Sequence, residues 1–185
     1  MRAATLLVMR MTIAATFLFT ACNFASDAQF TGMANAARAG DVATIRQLTA
    51  QGADPNAIAG QNGWTPMLHA IHTHQNASIA ALLDAGADVN RPDDQGVTPL
   101  MMAAGYGYDD TVRLLLERKA DPRIKRPNGE TALDWAMSGM TDIDRFTFFD
   151  CQDSTARLLH SAAPSVAPLA GAKRWVRIKR CASSS

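Results

Sequence analysis

A block of eight residues returns along this chain at a fixed interval. Gly63-Trp64-Thr65-Pro66-Met67-Leu68-His69-Ala70 recurs as Gly96-Val97-Thr98-Pro99-Leu100-Met101-Met102-Ala103, and after the same step as Gly129-Glu130-Thr131-Ala132-Leu133-Asp134-Trp135-Ala136. A second block keeps the interval: Leu82-Leu83-Asp84-Ala85-Gly86-Ala87-Asp88 returns as Leu115-Leu116-Glu117-Arg118-Lys119-Ala120-Asp121. An earlier copy, Leu48-Thr49-Ala50-Gln51-Gly52-Ala53-Asp54, lies one such step upstream, longer by a single position. A period of this size marks one supersecondary unit used repeatedly, and such a unit buries its apolar side only by stacking on its neighbours.

The residues inside one period predict two short helices. Thr65 and Thr98 are good N-caps, and the prolines after them suit a first helical position, where no amide proton is needed. Ile79, Leu82 and Leu83, like Val112, Leu115 and Leu116, fall at i, i+3 and i+4 and give a second helix one apolar stripe. Gly86 and Gly52 supply a positive-φ stop after it, whereas Lys119 stands there in the third copy, so its turn is expected to be strained. Ala70, Ala103 and Ala136 are small where paired helices approach.

The Thr-Pro-Leu-His-x-Ala pattern at this spacing of about 33 residues resembles the ankyrin repeat. The resemblance covers residues 29–163 and implies an all-α solenoid of about four helix-turn-helix repeats with short finger loops, at about 29–59, 60–92, 93–125 and 126–163. The first copy lacks the Thr-Pro signature. Its helix, Phe30 to Ala39, carries Asn35 and Arg38 and reads as an end cap with a polar outer face. The last copy carries an insert, 138–153, with Phe146, Phe148 and Phe149 among Asp142, Asp144 and Asp150. Those rings are read either as a cover for the open end of the stack or as a binding wedge.

Outside the repeats the sequence carries further signals. Arg2 and Arg10, an uncharged run from Met11 and a small Ala21 have the order of a secretory signal over 1–21. That run is too short to span a bilayer. Cys22 after Ala21 resembles the lipobox of bacterial lipoproteins, which implies a lipid on Cys22, a linker over 22–28 and a periplasmic protein anchored in the membrane, the outer more than the inner. Cys151 and Cys181 are then the remaining thiols and an expected disulfide in an oxidising compartment, against two free thiols or an intermolecular bridge. The linker and basic tail over 164–185 either dock on the acidic insert or meet anionic lipid.

Charge narrows the function. Residues 22–172 carry 17 acids against 11 bases, and residues 173–185 carry five bases and no acid. A nucleic-acid-binding body needs a basic face, so nucleic acid is not the expected partner. There is no nucleophile elbow, zinc-binding helix signature or phosphate loop, so neither an enzyme nor a cofactor is expected. His69, His72 and His74 are clustered, but His72 and His74 project to nearly opposite sides of a helix, and metal is not expected either. The resemblance gives His69 a hydrogen bond within the repeat turn. It also implies recognition of a protein by the concave face, mapped here onto Asn62, Trp64, His72, Thr73, Asp94, Gln95, Val97, Tyr106, Asn128 and Glu130. Trp64, Tyr106 and His72 are the expected anchors, with Trp64 alternatively packing on the neighbouring finger, and Tyr106 exposed between Gly105 and Gly107. Asp93, Asp94, Asp109 and Asp110 suggest a partner with a basic patch, or else a solvated face. The expected protein is a monomeric adaptor for another envelope or periplasmic protein, protecting or inhibiting an enzyme or toxin; the alternative is a structural lipoprotein acting through lipid and tail.

Overall fold

The computed structural model describes residues 32–58, 63–138 and 153–167. They form four helix pairs: residues 32–39 (α1) with Val42–Ala50 (α2), Pro66–His72 (α3) with Asn76–Asp84 (α4), Pro99–Tyr106 (α5) with Asp109–Glu117 (α6), and Ala132–Ser138 (α7) with Asp153–Ala162 (α8). No strand occurs among the described residues. The architecture is the all-α repeat stack that the period implies.

Each first helix starts where its threonine caps it. Thr65 and Thr98 sit in extended conformation with a proline following, and their hydroxyls accept from Leu68 N at 3.4 Å and Met101 N at 3.3 Å. Ala132 replaces the proline in the last copy, and a buried carboxylate compensates. Asp134 Oδ2 accepts from both Thr131 N and Thr131 Oγ1 at 2.8 Å, while Thr131 Oγ1 accepts from Asp134 N at 3.4 Å. This reciprocal cap satisfies donors that a helix start otherwise leaves open.

In one layer α5 packs against both α3 and α7, while α2 meets α4 and α6 meets α8 in the other. Helix α5 is central, and every residue from Pro99 to Gly105 is buried. Ile79, Leu82, Val112 and Leu115 are fully buried on the second helices, and Ala70, Ala103 and Ala136 are fully buried at the close approaches. Each large side chain contributes about 1.5–3 kcal/mol by leaving water. Left-handed residues follow α4 and α6: Gly86 at φ 90° and Lys119 at φ 72°, the strained substitution expected from the third copy.

Polar staples join neighbouring repeats. Asn56 Oδ1 accepts from Asp88 N at 2.7 Å, and one period later Asn90 Oδ1 accepts from Asp121 N at 2.8 Å. Arg123 falls at the next such place and folds back onto Asp121, at 2.9 Å from Nε to Oδ1. Hydrogen bonds from Arg123 hold the Asp121 carboxyl below the ordinary carboxylate value. A second set lies at the start of the second helices. Thr111 Oγ1 donates to Asn76 Oδ1 at 2.6 Å and Thr155 Oγ1 donates to Asp109 Oδ1. Ser78 holds the same place on α4, but the residue corresponding to Asn76 in the first repeat is Val42, which offers no acceptor. Its buried hydroxyl is accordingly without a partner.

Candidate partner-binding face

Helix α3 stops at His72, and the chain turns into α4 through His74, whose φ is +57°. Gly40 and Gly107 hold the corresponding place in the first and third repeats, at φ 77° and 70°. A residue with a side chain therefore sits where the other described copies use glycine. The turn swings that imidazole off the helix and onto the neighbouring repeat. The helical wheel that set His72 and His74 on nearly opposite sides does not extend past the end of α3.

The result is a continuous run of rings across two repeats. The Trp64 ring lies 5.3 Å from that of His69, edge-on, and 5.3 Å from that of His72. His72 reaches Tyr106 at a ring distance of 5.8 Å, with Nδ1 2.7 Å from the phenol oxygen. Tyr106 stacks on Tyr108 at 5.2 Å and 19°, and Tyr108 on His74 at 3.9 Å and 11°. The run ends on a carboxylate: His74 Nε2 is 2.9 Å from Asp110 Oδ1, Asn76 Nδ2 donates to Asp110 Oδ2 at 2.6 Å, and Thr111 N donates to Oδ1 at 2.9 Å. Burial opposes the charge on Asp110, but the bonds from His74, Thr111 and Asn76, with the attraction of His74, outweigh it and lower its pKa.

The expected anchors Trp64, His72 and Tyr106 are thus brought together. Trp64 and Tyr106 also pack on the core, and Tyr106 is half-buried, not open as its flanking glycines suggested, because His72 and Tyr108 hold its ring. Thr73 belongs to a seam, its hydroxyl donating to Arg38 O at 3.0 Å. Asp94 is exposed, and its carboxylate occupies the space that a β-carbon at Gly63 would need. Gln95 is exposed, with its carbonyl accepting from Arg126 Nε at 3.1 Å. Val97 is not a surface residue. At 4% exposure it is core, because the finger bonds to itself through Val97 N to Asp93 Oδ1 and Asp93 N to Val97 O, turning the side chain inward. Asn128 is exposed and accepts from Glu130 N at 3.1 Å. Glu130 Oε2 accepts from Arg126 Nη1 and Trp135 Nε1, both at 3.1 Å, with the Arg126 guanidinium 5.3 Å over the Trp135 ring, so its carboxylate serves the last finger. Asn62 lies outside the described residues.

His69 stands beside the first ring of the run. The residue three places after each capping threonine is Leu68, Met101 or Asp134, and His69 sits one place later, with its ring against Trp64. Tyr108 and His74 were missed as part of the face, although the Gly-Tyr-Gly-Tyr run at 105–108 and the turn after α3 carry the signal. Among the described residues no group of three or more His, Cys, Asp or Glu is placed to hold a metal ion.

The disulfide, lipoprotein, periplasm and membrane expectations are corrected. They rested on Cys22, Cys151 and Cys181, which lie outside the described residues, and the described residues contain no cysteine and hence no disulfide. None of the described helices is long and apolar enough to cross a membrane. Helix packing, caps and polar staples account for the described fold. The phenylalanines of the insert, the export signal and the basic tail also lie outside the described residues.

The family model "Ankyrin repeats (3 copies)" matches residues 33–126 and 93–146, together more than half of the chain. The human DNA-binding protein RFXANK is 49% identical over 51 residues, 28% of this chain and 20% of that protein. Rat ankyrin repeat and SAM domain-containing protein 6 is 36% identical over 87 residues, 45% of this chain and 10% of its own. Chicken inversin is 34% identical over 123 residues, 66% of this chain and 11% of its own. The chain thus spans a fifth or less of the length of these three relatives. With the period, the caps and the helix stack already in place, these matches make the chain a member of the ankyrin-repeat family.

Proposed function

We propose that the protein binds a partner protein through the face carrying Trp64, His72, Tyr106 and Tyr108, with Asp94, Gln95 and Asn128 on the exposed fingers beside it. The observation that carries this reading is the ring run from Trp64 to His74, which links two repeats through half-buried rings and ends on the exposed His74. Rigid amphipathic rings supply contact area at small entropic cost and dominate interface energies. In its finer form, the partner is an enzyme or toxin that the protein holds in check through this face. RFXANK is called DNA-binding, but that name belongs to a protein of which this chain matches 20%, and the acidic body here opposes a phosphate backbone.

A photo-crosslinking amino acid at position 95 tests the reading, with one at the exposed Arg113 position of α6 as the outward control. Crosslinks from position 95 that disappear in the Trp64→Ala, Tyr106→Ala double variant are expected, since truncating two anchors weakens binding by about 2 kcal/mol or more each. Crosslinks only from position 113, or ones indifferent to the double variant, would place binding elsewhere.

A further inference from the structure

We propose that the near-parallel rings of Tyr106, Tyr108 and His74, closed at one edge by the Asp110 carboxylate, receive an arginine side chain of the bound partner. The inference rests on the binding face just described and names the chemistry that face selects. Three planes inclined by 19° and 11° at centroid steps of 5.2 and 3.9 Å form one platform, which ends at His74. The terminal groups are open to a ligand, with side-chain exposures of 41% for His74 and 59% for Asp110.

A guanidinium matches this arrangement in both of its parts. It is planar and stacks on ring faces, and its fixed fork of donors suits a carboxylate; a lysine ammonium is a compact point charge that does neither as well. A carboxylate has about four acceptor sites. Asp110 receives bonds from His74, Asn76 and Thr111, which leaves acceptor capacity on its exposed side. Those bonds favour the ionised form, so the edge of the platform carries a full negative charge. The wider field agrees: the body from residue 22 to 172 holds 17 acids against 11 bases, which draws a cation in and turns a phosphate away.

The backbone points to the same place. His74 holds the left-handed conformation that Gly40 and Gly107 adopt in the corresponding turns. That conformation is strained for a residue with a β-carbon, and such strain clusters at functional sites. A glycine would close this turn without strain but would remove the last ring of the platform.

The full chain is titrated calorimetrically with two heptapeptides that differ only in a central arginine or its uncharged isostere citrulline, with the ring resonances of His74 and Tyr108 followed by NMR. The arginine peptide is expected to bind at least about fivefold more tightly and to shift both rings. Tyr108→Leu and His74→Gly are each expected to abolish that discrimination. If Tyr108→Leu does not fold, His74→Gly decides, because it installs the residue the neighbouring turns already use. Equal binding of the two peptides, discrimination that survives His74→Gly, or an oligothymidine that shifts these rings in place of the peptide would each overturn the proposal. Equal peptide binding combined with intact crosslinking from position 95 removes only the arginine assignment. Loss of that crosslinking removes the binding face itself.

Discussion

The seam between the first and second repeats and the seam between the second and third use the same backbone and the same positions, yet they differ in what those positions hold. At the first seam Asn56 staples Asp88 and Thr73 bonds to Arg38, but Val42 holds the position that Asn76 holds at the second, and the Ser78 hydroxyl stays unpaired. At the second, Asn90 staples Asp121, Asn76 takes the hydroxyl of Thr111, and the ring run crosses from His72 to Tyr106 and from His74 to Tyr108 and Asp110. The binding platform therefore stands on the seam whose polar positions are filled. Repetition supplies the frame, and single departures from it decide where a rigid surface is built.

Asn76→Ala gives the strongest test of this contrast. It would turn Thr111 into what Ser78 already is, a buried hydroxyl with no acceptor, and would remove one donor from Asp110. Leaving one partner of a buried hydrogen bond unmatched costs about 1–3 kcal/mol. Chemical denaturation should show a loss of about 2 kcal/mol, within that range, and no loss would mean that the second seam does not depend on its polar bridge.

Ser78→Ala approaches the same contrast from the other side. The substitution removes an unpaired buried hydroxyl while keeping the β-carbon, so the protein should become more stable by about 1 kcal/mol. The matching change, Thr111→Ala, removes a hydroxyl that has a partner and should be destabilising. If Ser78→Ala also destabilises in denaturant titration, the two seams are more alike than their hydrogen bonds indicate.

Much of this was legible from the chain itself, because the constant step between blocks and the local chemistry agree. Thr65-Pro66 and Thr98-Pro99 identify helix starts through capping, which depends on neighbours in sequence. The staples were equally available: Ala53-Asp54-Pro55-Asn56 and Ala87-Asp88-Val89-Asn90 recur, and their asparagines bridge repeats. The face was harder to read for two reasons. Periodicity says that His72 and His74 diverge, but it holds only while the helix lasts, and α3 ends at His72. A surface assignment by position also put Val97 on the face, whereas the bonds within its finger turn it inward. Tyr108 was missed because its role exists only between repeats, where Tyr106 flanks one side and His74 the other.

Acid supplies the smallest test, and it addresses Asp110, the carboxylate that joins the two repeats. Burial alone would raise its pKa, and the hydrogen bonds of His74, Thr111 and Asn76 reverse that, so the folded value lies below the ordinary one. The sign follows from proton binding. The unfolded chain, with a carboxyl pKa of about 3.9, takes up this proton at a higher pH than the folded chain does. Asp110 therefore adds stability above about pH 4, and that contribution disappears as the pH falls through the folded value. Because the side chain is 59% exposed, screening limits the effect to a few tenths of a kcal/mol. Asp110→Asn should lower stability slightly at pH 6, with the difference from the parent chain shrinking toward pH 2.5 in parallel denaturation series. A difference that persists unchanged at pH 2.5 would mean that the side chain acts through its shape and donors, leaving the second seam without the charge that its platform requires.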